Sequence, residues 1–301
     1  MIILTLPPCA SVRPHARRPP AVCRPLARQQ QFQMVHTTGR QAPNRYRCTA
    51  AAAGATAAAA AAAGADPPLV APALALQPGQ PVVKVCGVIN AEDAAAAVAA
   101  GANLIGMILW PRAKRSVGGA TAAAIAAAAR AGGAEPVGVF VDEDAATIAR
   151  VCAEAGVRVA QLHGEGARAA LAQLPPDLAV VWVLHADKTG VVQSPLPPAG
   201  CRQPHWLIVD GLQGGSGEAF DWQQLRRQAA GFAASSTHGW LLAGGLTPET
   251  VAEAIATATP TGVDVSSGVC GPDGLKKDLG KVQRYCSAAA AAFAAAASGG
   301  A

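Results

Sequence analysis

Residues 81–106 read PVVKVCGVINAEDAAAAVAAGANLIG. A short β-branched run, VVKV, ends in Cys86 and Gly87. An alanine-rich run opened by Asn90 follows, and a second apolar run starts near Ala102. The hydrophobic texture therefore changes from strand to helix and back to strand within 26 residues. Asn90, with Asp93 three positions on, supplies a capping pattern for the helix. The glycine lets the chain turn sharply, so the thiol of Cys86 is expected at the C-terminal lip of the first strand.

The same alternation repeats along the chain. Strand-like runs occur at 102–110, 136–141, 157–164, 177–186, 205–211, 239–245 and 262–268. Helix-like runs follow nearly all of them, at 118–133, 142–156, 165–174, 220–232, 247–258 and 276–293. The exception follows the fifth strand, where DKTGVVQSPLPPAGCRQP is too rich in Pro and Gly for a helix. Thr247 is expected to cap the helix that follows the seventh strand, with Pro248 in its first turn. Strand–helix alternation implies a parallel sheet. Strands that are apolar throughout imply that both faces are covered. Eight such units over residues 81–287 fit a closed α/β (β/α)₈ TIM barrel, a single domain preceded by a disordered leader.

The leader differs sharply in composition. Residues 1–50 hold eight arginines and no acid, and the first acid is Asp66. Of the 24 basic and 19 acidic residues, 16 basic and all 19 acidic lie beyond residue 50, so the net charge of +5 belongs to the leader. The basic pI of 8.9 is thus no argument for a nucleic-acid partner. Residues 1–65, Arg-rich and running into an alanine tract, have the composition of an organellar transit peptide. An organellar address is expected; a retained basic arm for anionic partners is the competing reading. Residues 66–80 read as a Pro-rich linker and 288–301 as a frayed, Ala-rich low-complexity tail. No stretch has the length and apolarity of a membrane span. The eight cysteines show no CxxC spacing, which argues against a zinc site or a disulfide framework.

In a (β/α)₈ barrel the chemistry sits at the C-terminal strand ends. Those positions hold Cys86 on the first strand, Arg115 after the second and His163 on the fourth. Asp210 lies on the sixth, followed by Gly214 and Gly215. Gly244 and Gly245 lie on the seventh, and Asp264, Ser266, Ser267 and Gly268 on the eighth. Small residues on the last two strand ends leave backbone N–H groups open, the usual phosphate site of such barrels, though turn glycines alone would look the same. Asp210 closes the apolar run WLIVD, where desolvation would raise its pKa and suit it to donate a proton. Simple capping of the next loop is the alternative. Cys86 could equally be a buried small hydrophobe, and Arg115 either a surface charge or a two-pronged clamp for a carboxylate. His163 is expected to orient a polar network or cap its loop. Taken together, the strand ends suggest a phosphosugar enzyme with one general acid and one general base facing each other across the barrel mouth.

KVCGV (84–88), LHG (162–164), GGSGxxFDW (214–222), AGGLTPETV (243–251) and GVDVSSGV (262–269), in that order, resemble the phosphoribosylanthranilate isomerase family. The resemblance covers residues 82 to about 287. It implies a barrel without metal or organic cofactor and an Amadori rearrangement of N-(5-phosphoribosyl)anthranilate. It implies Cys86 as general base, Asp210 as general acid, Arg115 as the carboxylate site, and the AGGL and SSG segments as the phosphate cradle. The partner it implies is a small-molecule phosphosugar, with no nucleic acid and no membrane; a monomer is the working expectation. Among organelles it implies the plastid, with the mitochondrion as alternative. Three positions depart from the family pattern: Ile89 replaces a usual Thr, Cys270 a frequent acid, and Glu218 a usual Lys. The competing readings are another phosphosugar barrel enzyme and a non-catalytic barrel that binds a phospholigand without turning it over.

Overall fold

The computed structural model describes residues 74–211 and 221–298. The leader, the first part of the linker and the GGSG segment with Gly214, Gly215 and Glu218 lie outside the described residues. Eight parallel strands close into one barrel in chain order. They are β1 (Val82–Val85), β2 (Leu104–Ile108), β3 (Glu135–Phe140), β4 (Val159–Leu162), β5 (Ala179–Ala186), β6 (Trp206–Gly211), β7 (Trp240–Leu242) and β8 (Gly262–Val265). The seam pairs β1 with β8 and sets Lys84 opposite Asp264. Cys86 continues it beyond the strand, its N–H donating to Val265 O at 2.8 Å.

The strand period of two sorts each strand into an inner and an outer face. Outward residues such as Val83, Val85, Ile105 and Leu242 pack under the helices. Inward residues Val82, Leu104, Val137, Val159, Val181, Trp206, Ile208 and Leu241 fill the barrel. The same parity carries inward Lys84 and Cys86 on β1, Gln161 and His163 on β4, Asp210 on β6, and Asp264 and Ser266 on β8. The barrel is thus apolar low down and polar toward the mouth.

The helices are α1 (Ala91–Ala99), α2 (Gly119–Ala131), α3 (Ala145–Ala155), α4 (Glu165–Ala169), α5 (Trp222–Ala234), α6 (Val251–Ala258) and α7 (Leu279–Ser298). Asn90 caps α1, its side chain accepting from Asp93 N at 2.7 Å. The Asp93 carboxylate does not reach back to complete a capping box; it accepts from Lys277 N at 2.9 Å. No helix joins β5 to β6, as the Pro/Gly content of that connection requires.

Three expectations are corrected. The helix expected over 165–174 is only α4 and a 3-10 turn at Leu171–Gln173. The buried Arg168 guanidinium there donates to His163 O, just past β4, and to Val183 O within β5, which binds this segment to two strands. Thr247 does not cap α6 directly: its hydroxyl accepts from Glu249 N in a turn, and the helix is regular only from Val251. The alanine tail does not fray at residue 288. α7 runs on to Ser298, with Ala289 buried and Ala292 and Phe293 packed on the core. Alanine has the highest helix propensity, and one apolar face is enough to hold the added turns.

Candidate active site

The described residues among those selected from the sequence lie at the C-terminal ends of the strands. Asp210, Gly244, Gly245, Asp264, Ser266, Ser267 and Gly268 line one cavity there. Gly244 and Gly245 have φ of 78° and 67°, a backbone shape that disfavours side chains and leaves the chain after β7 able to turn its N–H groups inward. A single 3-10 turn at Ser267–Val269 follows β8 directly.

Cys86 is buried at the end of β1. Its carbonyl is gripped by two donors, Ser266 Oγ at 3.1 Å and Lys277 Nζ at 2.6 Å. This fixes the β1 rim to the β8 loop. Gly106 on β2 makes room for the thiol: a β-carbon built there would lie 2.7 Å from Cys86 Sγ and 3.0 Å from Lys84 Nζ.

Asp210 is half-buried at the end of β6, and its Oδ1 accepts from Gly211 N at 2.8 Å. Burial pushes its carboxyl up to about 6, and the charge of Asp264 adds to the effect. The hydrogen bond from Gly211 and the charge of Lys84 oppose it. Near neutral pH this acid holds its proton far more readily than an ordinary aspartate, as a proton donor requires.

Arg115 reaches over the β1 turn, with Nη1 3.0 Å from Cys270 Sγ. Cys270 also lies 3.6 Å from Lys277 Nζ, so the thiol occupies a position between two cations. Burial lowers the Lys277 pKa; the Cys270 and Cys86 groups work against that, and Arg115 adds to it. His163 contacts His185 edge-on, with ring centroids 5.1 Å apart. Burial depresses His163 to about 3, and His185, Lys84 and Arg168 push the same way. It is therefore a neutral imidazole at the rim and brings no charge to an anion.

Lys84 was not singled out by the sequence reasoning. It has no solvent exposure, and its Nζ is 3.1 Å from Asp264 Oδ1. A signal was available: a lysine inside an apolar strand, two residues before Cys86 and so on the same face. Asp264, expected at the phosphate cradle, spends its carboxylate on this ion pair. A second concavity, lined by Pro78, Asp177, His205 and His238 among others, lies at the opposite end of the barrel, among the strand starts. The His205 ring there accepts from Val180 N at 3.3 Å.

A barrel with a buried cysteine on β1, a raised carboxyl on β6 and a small-residue cavity over β7 and β8 can be compared with known proteins. The profile of the family described as N-(5'-phosphoribosyl)anthranilate (PRA) isomerase matches residues 83–288. The chain belongs to this family. It is 44% identical over 209 residues to N-(5'-phosphoribosyl)anthranilate isomerase 1, chloroplastic, of Arabidopsis thaliana, covering 69% of this chain and 74% of that protein. The crystal structure of the phosphoribosyl anthranilate isomerase of Thermotoga maritima is 28% identical, with a TM-score of 0.59, over 70% of this chain and all of that one. A solved phosphoribosyl anthranilate isomerase in complex with reduced 1-(o-carboxyphenylamino)-1-deoxyribulose 5-phosphate is 27% identical over the same shares, with a TM-score of 0.58. Within the family pattern, the departure at Cys270 falls at the rim beside Arg115, and Ile89 one residue before the cap of α1.

Proposed function

We propose that this chain rearranges N-(5-phosphoribosyl)anthranilate to 1-(2-carboxyphenylamino)-1-deoxyribulose 5-phosphate, with Asp210 as general acid and Cys86 as general base. Asp210 donates its proton to the ribose ring oxygen. The C1–O bond breaks as the nitrogen lone pair forms a C1=N iminium. The Cys86 thiolate then takes the proton from C2; the C2–H bonding pair makes the C1=C2 bond of the enolamine, and the C1=N π pair returns to nitrogen. A proton returns to C1, the C2 hydroxyl loses one, and the ketone results. The reaction is an isomerisation, so no electrons enter or leave.

Arg115 receives the anthranilate carboxylate, for which its planar guanidinium is suited. The main chain of Gly244, Gly245, Ser267 and Gly268 receives the phosphate; the substrate-binding role expected of Gly214 and Gly215 lies outside the described residues. His163 serves as a neutral hydrogen-bonding group. The chain works in the plastid, as the chloroplastic Arabidopsis relatives do by name, with residues 1–65 as the transit peptide. No described helix is long and apolar enough to cross a membrane.

The observation that carries the reading is the raised carboxyl of Asp210 on the same rim as a buried cysteine. The test follows the loss of anthranilate-type fluorescence with freshly generated phosphoribosylanthranilate. Wild type should consume it, while folded Cys86→Ala and Asp210→Ala should each lose on the order of 100-fold or more in turnover. Full activity in either variant removes the role given to that residue. Binding of the product without turnover by wild type favours a non-catalytic barrel.

A further inference from the structure

One layer below the proposed acid and base lies an ion pair that the mechanism above does not use. Lys84 is wholly buried and Asp264 nearly so, and they meet at 3.1 Å across the β1–β8 seam. An ion pair in a barrel interior is a poor source of stability, because both ions lose their water. Neighbouring interior positions hold Val137, Val159 and Val181, so an apolar layer was open to this fold. The pair is also not symmetric about the site. Its cation lies near Cys86: one point, the missing β-carbon of Gly106, is 2.7 Å from Cys86 Sγ and 3.0 Å from Lys84 Nζ. Its anion lies at the cavity that Asp264 and Asp210 both line.

We propose that Lys84 and Asp264 are positioning residues that set opposite charge states on the two proton-transfer groups. The Lys84 ammonium stabilises the Cys86 thiolate, and the Asp264 carboxylate favours the protonated form of Asp210. The inference rests on the roles given above to Cys86 and Asp210. For Lys84 and Asp210 the electrostatics agree in direction. Burial alone would lower Lys84, yet Asp264 and Cys86 outweigh it and the ammonium is kept. For Asp210, Asp264 is the largest charge effect after burial. Other groups face the same site. From the mouth, Lys277 and Arg115 hold the Cys86 carbonyl and the turn beside it. From β4 and β5, the His163–His185 pair is neutral, so it supplies no competing charge.

The test uses the full chain and two variants. The thiolate of Cys86 is read as absorbance at about 240 nm, at about pH 7.5, by subtracting the matched Cys86→Ser protein. Lys84→Met/Asp264→Asn removes both charges and leaves no unpaired ion. Wild type should show the thiolate, and the folded double variant should lose it by about fivefold or more. Asp264→Asn alone should move the alkaline limb of kcat/KM to lower pH by about half a unit or more, because Asp210 then gives up its proton sooner. A purely structural pair would lower the Tm and leave both readouts unchanged, and that result overturns the proposal. So does a wild-type protein without the Cys86 thiolate signal. Failure of wild type to consume phosphoribosylanthranilate would instead remove the proposed function, and the thiolate comparison could still be read.

Discussion

Asp210→Asn should make this protein more stable while removing most of its activity. The carboxyl moves from an ordinary value of 3.8 to about 6 on folding, through burial first and the Asp264 charge second. One pH unit between folded and unfolded values is about 1.4 kcal/mol. The whole difference is therefore about 3 kcal/mol, an upper figure because Asp210 keeps some solvent contact. The sign follows from linkage. Below pH 4 the group is protonated in both states and costs nothing. Between about 4 and 6 the unfolded chain releases its proton first, so stability falls as pH rises. Above about 6 the full cost is present. Asparagine cannot ionise, and its amide oxygen can still accept from Gly211 N, the partner of Asp210 Oδ1. Urea unfolding of both proteins across pH 4 to 8 is the assay. The stability gap should open from near zero at the acid end to as much as about 3 kcal/mol in favour of the variant above about pH 7. A gap that does not vary with pH, or a variant less stable than wild type at pH 8, would refute the reasoning.

Two further outcomes test the geometry around Cys86. Gly106→Ala places a methyl 2.7 Å from Cys86 Sγ and 3.1 Å from Cys86 Cα, which cannot both yield. Turnover should fall by about 10-fold or more with a stability loss of about 1–3 kcal/mol, measured by initial rates and denaturation; wild-type rates would show that the thiol is not confined there. Cys270→Ala removes the sulfur that Arg115 meets at 3.0 Å. A hydrogen bond to a charged group contributes about 1.5–3 kcal/mol, so KM should rise by about 10-fold while kcat changes little; an unchanged KM would separate Cys270 from the placement of Arg115.

Much of this fold is written in local pattern. Short, continuous apolar runs rich in β-branched residues and alanine-rich helical runs are each read within a few residues, because length and composition separate them. Their alternation is enough to name a parallel sheet with both faces covered, and the strand ends then point to Cys86, Arg115, Asp210 and the small residues of β7 and β8. The leader is legible from charge alone. Local pattern was less secure where packing decides. The alanine tract after Ser287 reads as a tail, yet it continues α7 because Ala289 and Phe293 find a core to rest on. The segment after β4 reads as a full helix, yet the helix stops early and its Arg168 bonds the end of β4 and the middle of β5.

The tertiary structure alone decided how the site is charged. Lys84 and Asp264 are 180 residues apart and meet only because β1 closes on β8. Cys270 lies between Arg115 and Lys277 only because the loops after β2 and β8 converge over Cys86. The ordered motifs, through the family they resemble, imply which residues serve as acid and base. Closure of the barrel creates the low-dielectric interior that raises the Asp210 carboxyl and traps the Lys84–Asp264 ion pair beneath it.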